Sequence, residues 1–271
     1  MQHPQFLLVF TLALALLSCS GSVGTSSHLR SFPTESPAYR GNAPAVQTTD
    51  SAFLAAVVDA EKAEPSEVSR TLTRIHGNPH LVDTMIGGKW HLLVVCWDSR
   101  PDMFPDQGDF ETDHSVWVTL APQLRDRCRT YQTLFERTEA TTSRLEQLLG
   151  MAPDGPERHF LELWVQPDNL FRPCPDSETD DTRCELQFPP NTTSDHREWF
   201  TDLLEAGFPP ASDARHNGAE QKIWTRLGYT YDWNPENSSH IGLSEFVIHR
   251  DVHVWVRRKV STEEFCDPDA E

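Results

Sequence analysis

The chain has 271 residues, 38% of them hydrophobic, and its 41 Asp and Glu outnumber 23 Lys and Arg to give a formal net charge of -18. No basic run offsets that charge, which argues against nucleic acid and anionic lipid surfaces as partners. The sequence holds no phosphate-binding glycine loop, GxSxG elbow, internal repeat or CxxC zinc pattern, so no cofactor and no metal is expected from it.

The first residues, MQHPQ and then FLLVFTLALALLSCS, read as an export signal whose apolar part is too short to span a bilayer permanently. Within it, Leu16-Leu17-Ser18-Cys19 looks like a bacterial lipobox, in which Cys19 carries a lipid and provides the protein's only attachment to a membrane. Ordinary cleavage at residues 22–24 is the alternative. Residues 1–19 are thus expected to be the signal, 20–50 a flexible Ser/Thr/Pro/Gly-rich tether, and 51–271 one exported domain, in the cell envelope or secreted.

In that domain Phe53, Ala56, Val57 and Ala60 recur at helical spacing, with Asp50 placed to cap the first turn. Residues 80–86 and 89–97 read as a hairpin about Gly87-Gly88, its second arm apolar enough to be a central strand. Residues 98–113 are acidic and broken by prolines, as in an exposed loop, and residues 115–120 form a third β-rich run. A long helix is expected from Pro122 to Gly150, with Leu124, Cys128, Tyr131, Leu134, Leu145 and Leu148 on its apolar stripe.

Residues 159–165, HFLELWV, alternate as a strand, which points His159 and Glu162 to opposite faces and disposes of a metal pair there. Ser194 is placed to cap a helix ending at Gly207. From Trp224 to Val256 the chain is at its most aromatic. Tyr229, Tyr231 and Trp233 share one phase of a two-residue period, and residues 246–248 and 252–256 suggest strands reversing at Arg250-Asp251. Charges beside those aromatics need partners, so Arg226 is expected to pair with Asp232 or Glu245.

Of six cysteines, Cys19 belongs to the signal, and Cys96 lies in an apolar run as a small buried hydrophobe. Cys174 and Cys184 close a short polar loop and are expected to pair, which leaves Cys128 with Cys266 by elimination.

The segments PDNLFRPCPD (167–176), WTRLGYTYDW (224–233) and GLSEFVI (242–248) resemble a family of exported bacterial proteins without an assigned activity. The likeness implies bacterial export and a disulfide in the Cys174 loop, and hands over no catalytic residue. A fainter resemblance is to bacterial ADP-ribosylating toxins, in which an arginine at an early strand end holds NAD and a glutamate opening a later strand stabilises the ribosyl cation. Asp98-Ser99-Arg100-Pro101 and Ser244-Glu245-Phe246-Val247 occupy comparable places, although the Ser-Thr-Ser strand is missing. The expected fold is α+β, a mainly antiparallel sheet flanked by two or three helices. The expected work is binding of an unidentified ligand or envelope partner. The alternative is an NAD-using enzyme with Arg100, Tyr229, Tyr231 and Glu245 as candidate site residues.

Overall fold

The computed structural model describes residues 49–206 and 222–270; the expected signal, Cys19, most of the expected tether and Gly207 lie outside them. In chain order the elements are α1 (Thr49–Asp59), β1 (Asp83–Ile86), β2 (Lys89–Asp98), β3 (Gly108–Glu111), β4 (Val116–Leu120), α2 (Gln123–Phe135), α3 (Thr138–Leu149), β5 (His159–Val165), β6 (Leu170–Phe171), α4 (Ser194–Ala206), β7 (Tyr229–Tyr231), β8 (Ile241–Ile248), β9 (His253–Ser261) and α5 (Thr262–Cys266). The fold is α+β. Its nine strands run in the order β3-β9-β5-β2-β4-β8-β6, with β1 added to β2 and β7 to β8, and every ladder is antiparallel. No helix among the described residues is long and apolar enough to cross a membrane.

Both faces of the sheet are buried, and the two-residue period sorts them. Leu92, Val94 and Cys96 of β2 join Leu161, Leu163, Val116, Val118, Phe246 and Val256 in one apolar cluster. The alternate residues Leu93, Val95 and Trp97 face α2, α3 and α5, against Leu124, Leu145, Leu148 and Phe265. The 83–86 and 89–98 hairpin forms as expected, and β2 lies at the centre of the sheet.

Five expectations are corrected. Strands β8 and β9 are not ladder partners: β8 pairs with β4, β6 and β7, and β9 with β3 and β5. Their four-residue connection is possible because the sheet curls, so that Phe246 and Ile248 meet Val254 and Val256 in one cluster. Thr112 holds the connection, its Oγ1 donating to the His249 carbonyl at 2.8 Å and its own carbonyl accepting from Asp251 N at 2.6 Å. The single long helix is two, because Glu136 takes a left-handed φ of 54° and ends α2 before α3 begins. Residues 98–113 are not wholly loop, since β3 pairs with β9 and Phe104 is buried. Finally, Asp50 lies inside the first turn of α1 rather than before it, and Thr193, not Ser194, caps α4 by accepting from His196 N.

The two cysteine pairs stand at bonding distance, with Cα atoms 6.2 Å apart for Cys174–Cys184 and 4.8 Å for Cys128–Cys266. Cys96 is the free, buried thiol among the described residues.

Candidate functional site

Strand β2 pairs with β4 only at Val94↔Leu120 and Val95↔Thr119, yet β2 continues alongside β5 to Asp98 and β4 continues alongside β8 back to Val116. The two central strands therefore part company beyond Val95. A slot of about 400 Å³ opens in the wedge, within the range of small-molecule sites. Cys96, Trp97 and Asp98 line one side and Val116, Trp117 and Val118 the other; Leu124, Leu149 and Met151 roof it, and Ser99, Arg100, His114 and Ser115 stand at the loop ends.

The register explains what lies at the floor. Arg258, Glu162, Val95, Thr119 and Glu245 form one cross-strand row through β9, β5, β2, β4 and β8. Two buried glutamates thus share the helix-facing side of the sheet, three strand spacings or about 14 Å apart. Their environments differ sharply. At Glu162, a bulge in β9 opposes Arg258 to Glu162 and Val256 to Leu163, and both Arg257 and Arg258 reach the carboxylate. Arg125 of α2 adds a third guanidinium at 3.8 Å. Burial works to raise the Glu162 pKa, but the Arg258 hydrogen bond and the charges of Arg257, Arg258 and Arg125 outweigh it and hold the carboxyl below its ordinary range.

Glu245 is 1% exposed and has one cation among the described residues, Lys222, which bonds its Oε1 and lies 4.7 Å over the Trp117 ring. Burial pushes its pKa up and the single ammonium does not cancel that. Among the described residues its second oxygen, Oε2, has no hydrogen-bond partner, and neither has the hydroxyl of its register neighbour Thr119. Cys96 also lines the slot, and burial, aided by the charge of Asp98, pushes its thiol up to about 12, so it is inert as a nucleophile at neutral pH.

The candidate residues separate into two groups. Arg100, half-exposed and 3.7 Å from Asp98, lines the same slot as Glu245. Tyr229 and Tyr231 do not. Their hydroxyls donate to the Glu67 carbonyl at 2.9 Å and to Asp59 at 2.7 Å, and burial raises both phenols well above their ordinary range. The aromatic stretch is a clasp: Trp224 Nε1 donates to the Pro173 carbonyl and Trp233 Nε1 to that of Met151. Gly228, at a φ of 74°, packs so closely on the Cys174–Cys184 bridge that a Cβ would come 2.5 Å from Cys184 Sγ.

The expected partnership of Arg226 with Asp232 or Glu245 is corrected. Asp232 is gripped by both Nη atoms of Arg144, at 3.0 and 2.7 Å, and Glu245 by Lys222. Arg226 itself adopts a left-handed φ of 61°, and the acidic charges that act on it are those of Glu61 and Glu67. Asp232 also accepts from Asn237 Nδ2 at 3.1 Å.

Sequence reasoning missed Lys222, Thr119 and the arginines around Glu162. A signal existed for two of these places: Thr119 is the lone polar residue in VWVTL and Glu162 the lone carboxylate within the apolar run of HFLELWV. Comparison of the chain with protein-family models, curated proteins and solved structures returns no match. The site is therefore read from its own geometry.

Proposed function

We propose that this is an exported bacterial binding domain, and that the slot between β2 and β4 takes a small organic ligand. The observation that carries this reading is the early end of the β2–β4 ladder at Val95↔Thr119, which opens an apolar-walled cavity over a buried, incompletely hydrogen-bonded carboxylate. Perturbed carboxyls in clefts mark functional sites more often than chance, and among the described residues Glu245 is the carboxyl that lines such a cleft with one oxygen buried and without a hydrogen-bond partner. The test is retention of small molecules from a host extract by the wild type and by Ser115→Trp, which fills the mouth. Compounds retained by the wild type alone support the reading, and equal retention by both removes it.

The NAD-using reading has one observation in its favour, the presence of Arg100 and Glu245 on the same slot. Against it, Lys222 sets a positive charge on the carboxylate that would have to face a developing ribosyl cation, and Tyr229 and Tyr231 are committed elsewhere. Incubation with NAD is expected to release no nicotinamide. Release that disappears in Glu245→Gln would restore the enzyme reading. Envelope attachment through Cys19 belongs to the same proposal: fatty-acid labelling in a bacterial host should mark the wild type and not Cys19→Ala.

A further inference from the structure

We infer that the slot holds an uncharged molecule anchored by a hydroxyl group, which bridges Thr119 Oγ1 and Glu245 Oε2 while an apolar body fills the space above. The inference rests on the binding reading of the slot and names the class of ligand. Thr119 and Glu245 are register partners on adjacent strands, which places their side chains next to one another on one face. They are 4% and 1% exposed, and both oxygens lack a partner among the described residues. Buried polar atoms in native folds are nearly always answered, so a pair of orphans on neighbouring residues that both line a cavity marks where a ligand's polar group belongs.

Charge decides the nature of that group. Lys222 already neutralises Glu245, so with the carboxyl ionised the floor is neutral, and with it protonated the floor is positive. A ligand ammonium is therefore unwelcome in either state, and a ligand carboxylate beside the ionised Glu245 would set acceptor against acceptor with no proton between them. A hydroxyl both donates and accepts, so it satisfies Thr119 and Glu245 whichever of them supplies the proton. Stacking does not supply the rest of the affinity, because Lys222 covers the Trp117 ring and Trp97 is flanked by Phe160 at 5.6 Å and Arg158 at 5.1 Å. The walls that remain, Val95, Val116, Leu124, Leu149 and Met151, suit an apolar body.

Four matched probes test this on the full mature chain by calorimetry and amide NMR: p-cresol, toluene, 4-methylbenzylamine and 4-methylbenzoate. The expected order is p-cresol about tenfold tighter than toluene, with the amine and the acid weaker than p-cresol. Thr119→Val, nearly isosteric and free of the folding risk of Glu245→Gln, should weaken p-cresol about tenfold and leave toluene unchanged. Equal binding of p-cresol and toluene, an unchanged p-cresol affinity in Thr119→Val, or tighter binding of the amine or acid overturns the hydroxyl anchor and leaves the slot as a binding site. Absence of any probe from the slot overturns the anchor and the binding reading together.

Discussion

Replacing Glu162 by Gln keeps the shape of the side chain and removes the charge that three guanidiniums surround. The carboxylate is 2% exposed, with Arg258 Nε at 2.7 Å, Arg258 Nη2 at 3.3 Å, Arg257 hydrogen-bonded to the same oxygen as Arg258 Nε, and Arg125 behind. Breaking a buried ion pair from one side costs about 3–5 kcal/mol, because the remaining charges stay buried without their counter-ion. Against a typical domain stability of about 5–15 kcal/mol this is a large fraction. Arg257→Ala makes the contrast: its side chain is 38% exposed, two other arginines remain, and the loss should be about 1 kcal/mol or less. Urea unfolding should show the midpoint falling in Glu162→Gln with the slope unchanged. The pH dependence carries a second signature. The native carboxyl titrates below its unfolded value of about 4.3, so its contribution is present above that pH and is lost as pH falls through the native pKa. Glu162→Gln should flatten that acid limb. A loss under about 1 kcal/mol, or an acid limb unchanged from wild type, would falsify the account of the arginine cage.

Asp232→Asn should cost about 3 kcal/mol by the same logic, and a double-mutant cycle with Arg144→Met should place the coupling on that pair; coupling with Arg226 instead would contradict the geometry. Non-reducing peptide mapping should link Cys174 to Cys184 and Cys128 to Cys266 and leave Cys96 free, and a mixed bridge to Cys96 would refute the pairing. Removing the first bridge should cost about 2–3 kcal/mol and the second, which closes a far longer loop, about 5 kcal/mol on the chain-entropy estimate. Glu245 has the opposite sign to Glu162. Its native pKa is raised, so its contribution is full below about pH 4.3 and is lost as pH rises through the native value. Glu245→Gln should remove that alkaline-side decline, and an identical decline in both proteins would show that Glu245 is not its source.

Local signals in the sequence foretold much of the sheet. Gly87-Gly88 marks a hairpin, HFLELWV alternates as β5 does, and Gly150 ends α3 in the left-handed conformation. What failed depended on contacts far apart in the chain. The β8–β9 connection looks like a hairpin turn because its shape is set by Thr112, 137 residues before His249. Arg226 was the nearest cation to Asp232 in sequence, but Arg144, on a helix 88 residues away, reaches it in space. Lys222 lies outside any regular element, so no periodicity announces that it faces Glu245. Glu245 itself stood out as a lone charge in GLSEFVI. Its setting at the floor of a slot became visible only when the ladder between β2 and β4 proved to be two residue pairs long.

Amide chemical-shift mapping with p-cresol tests the slot most directly. Perturbations should concentrate on residues 96–100 and 115–119 with Lys222 and Glu245, and vanish in Ser115→Trp. Perturbations confined to other surfaces, or persisting undiminished in Ser115→Trp, would contradict the assignment of the slot as the binding site.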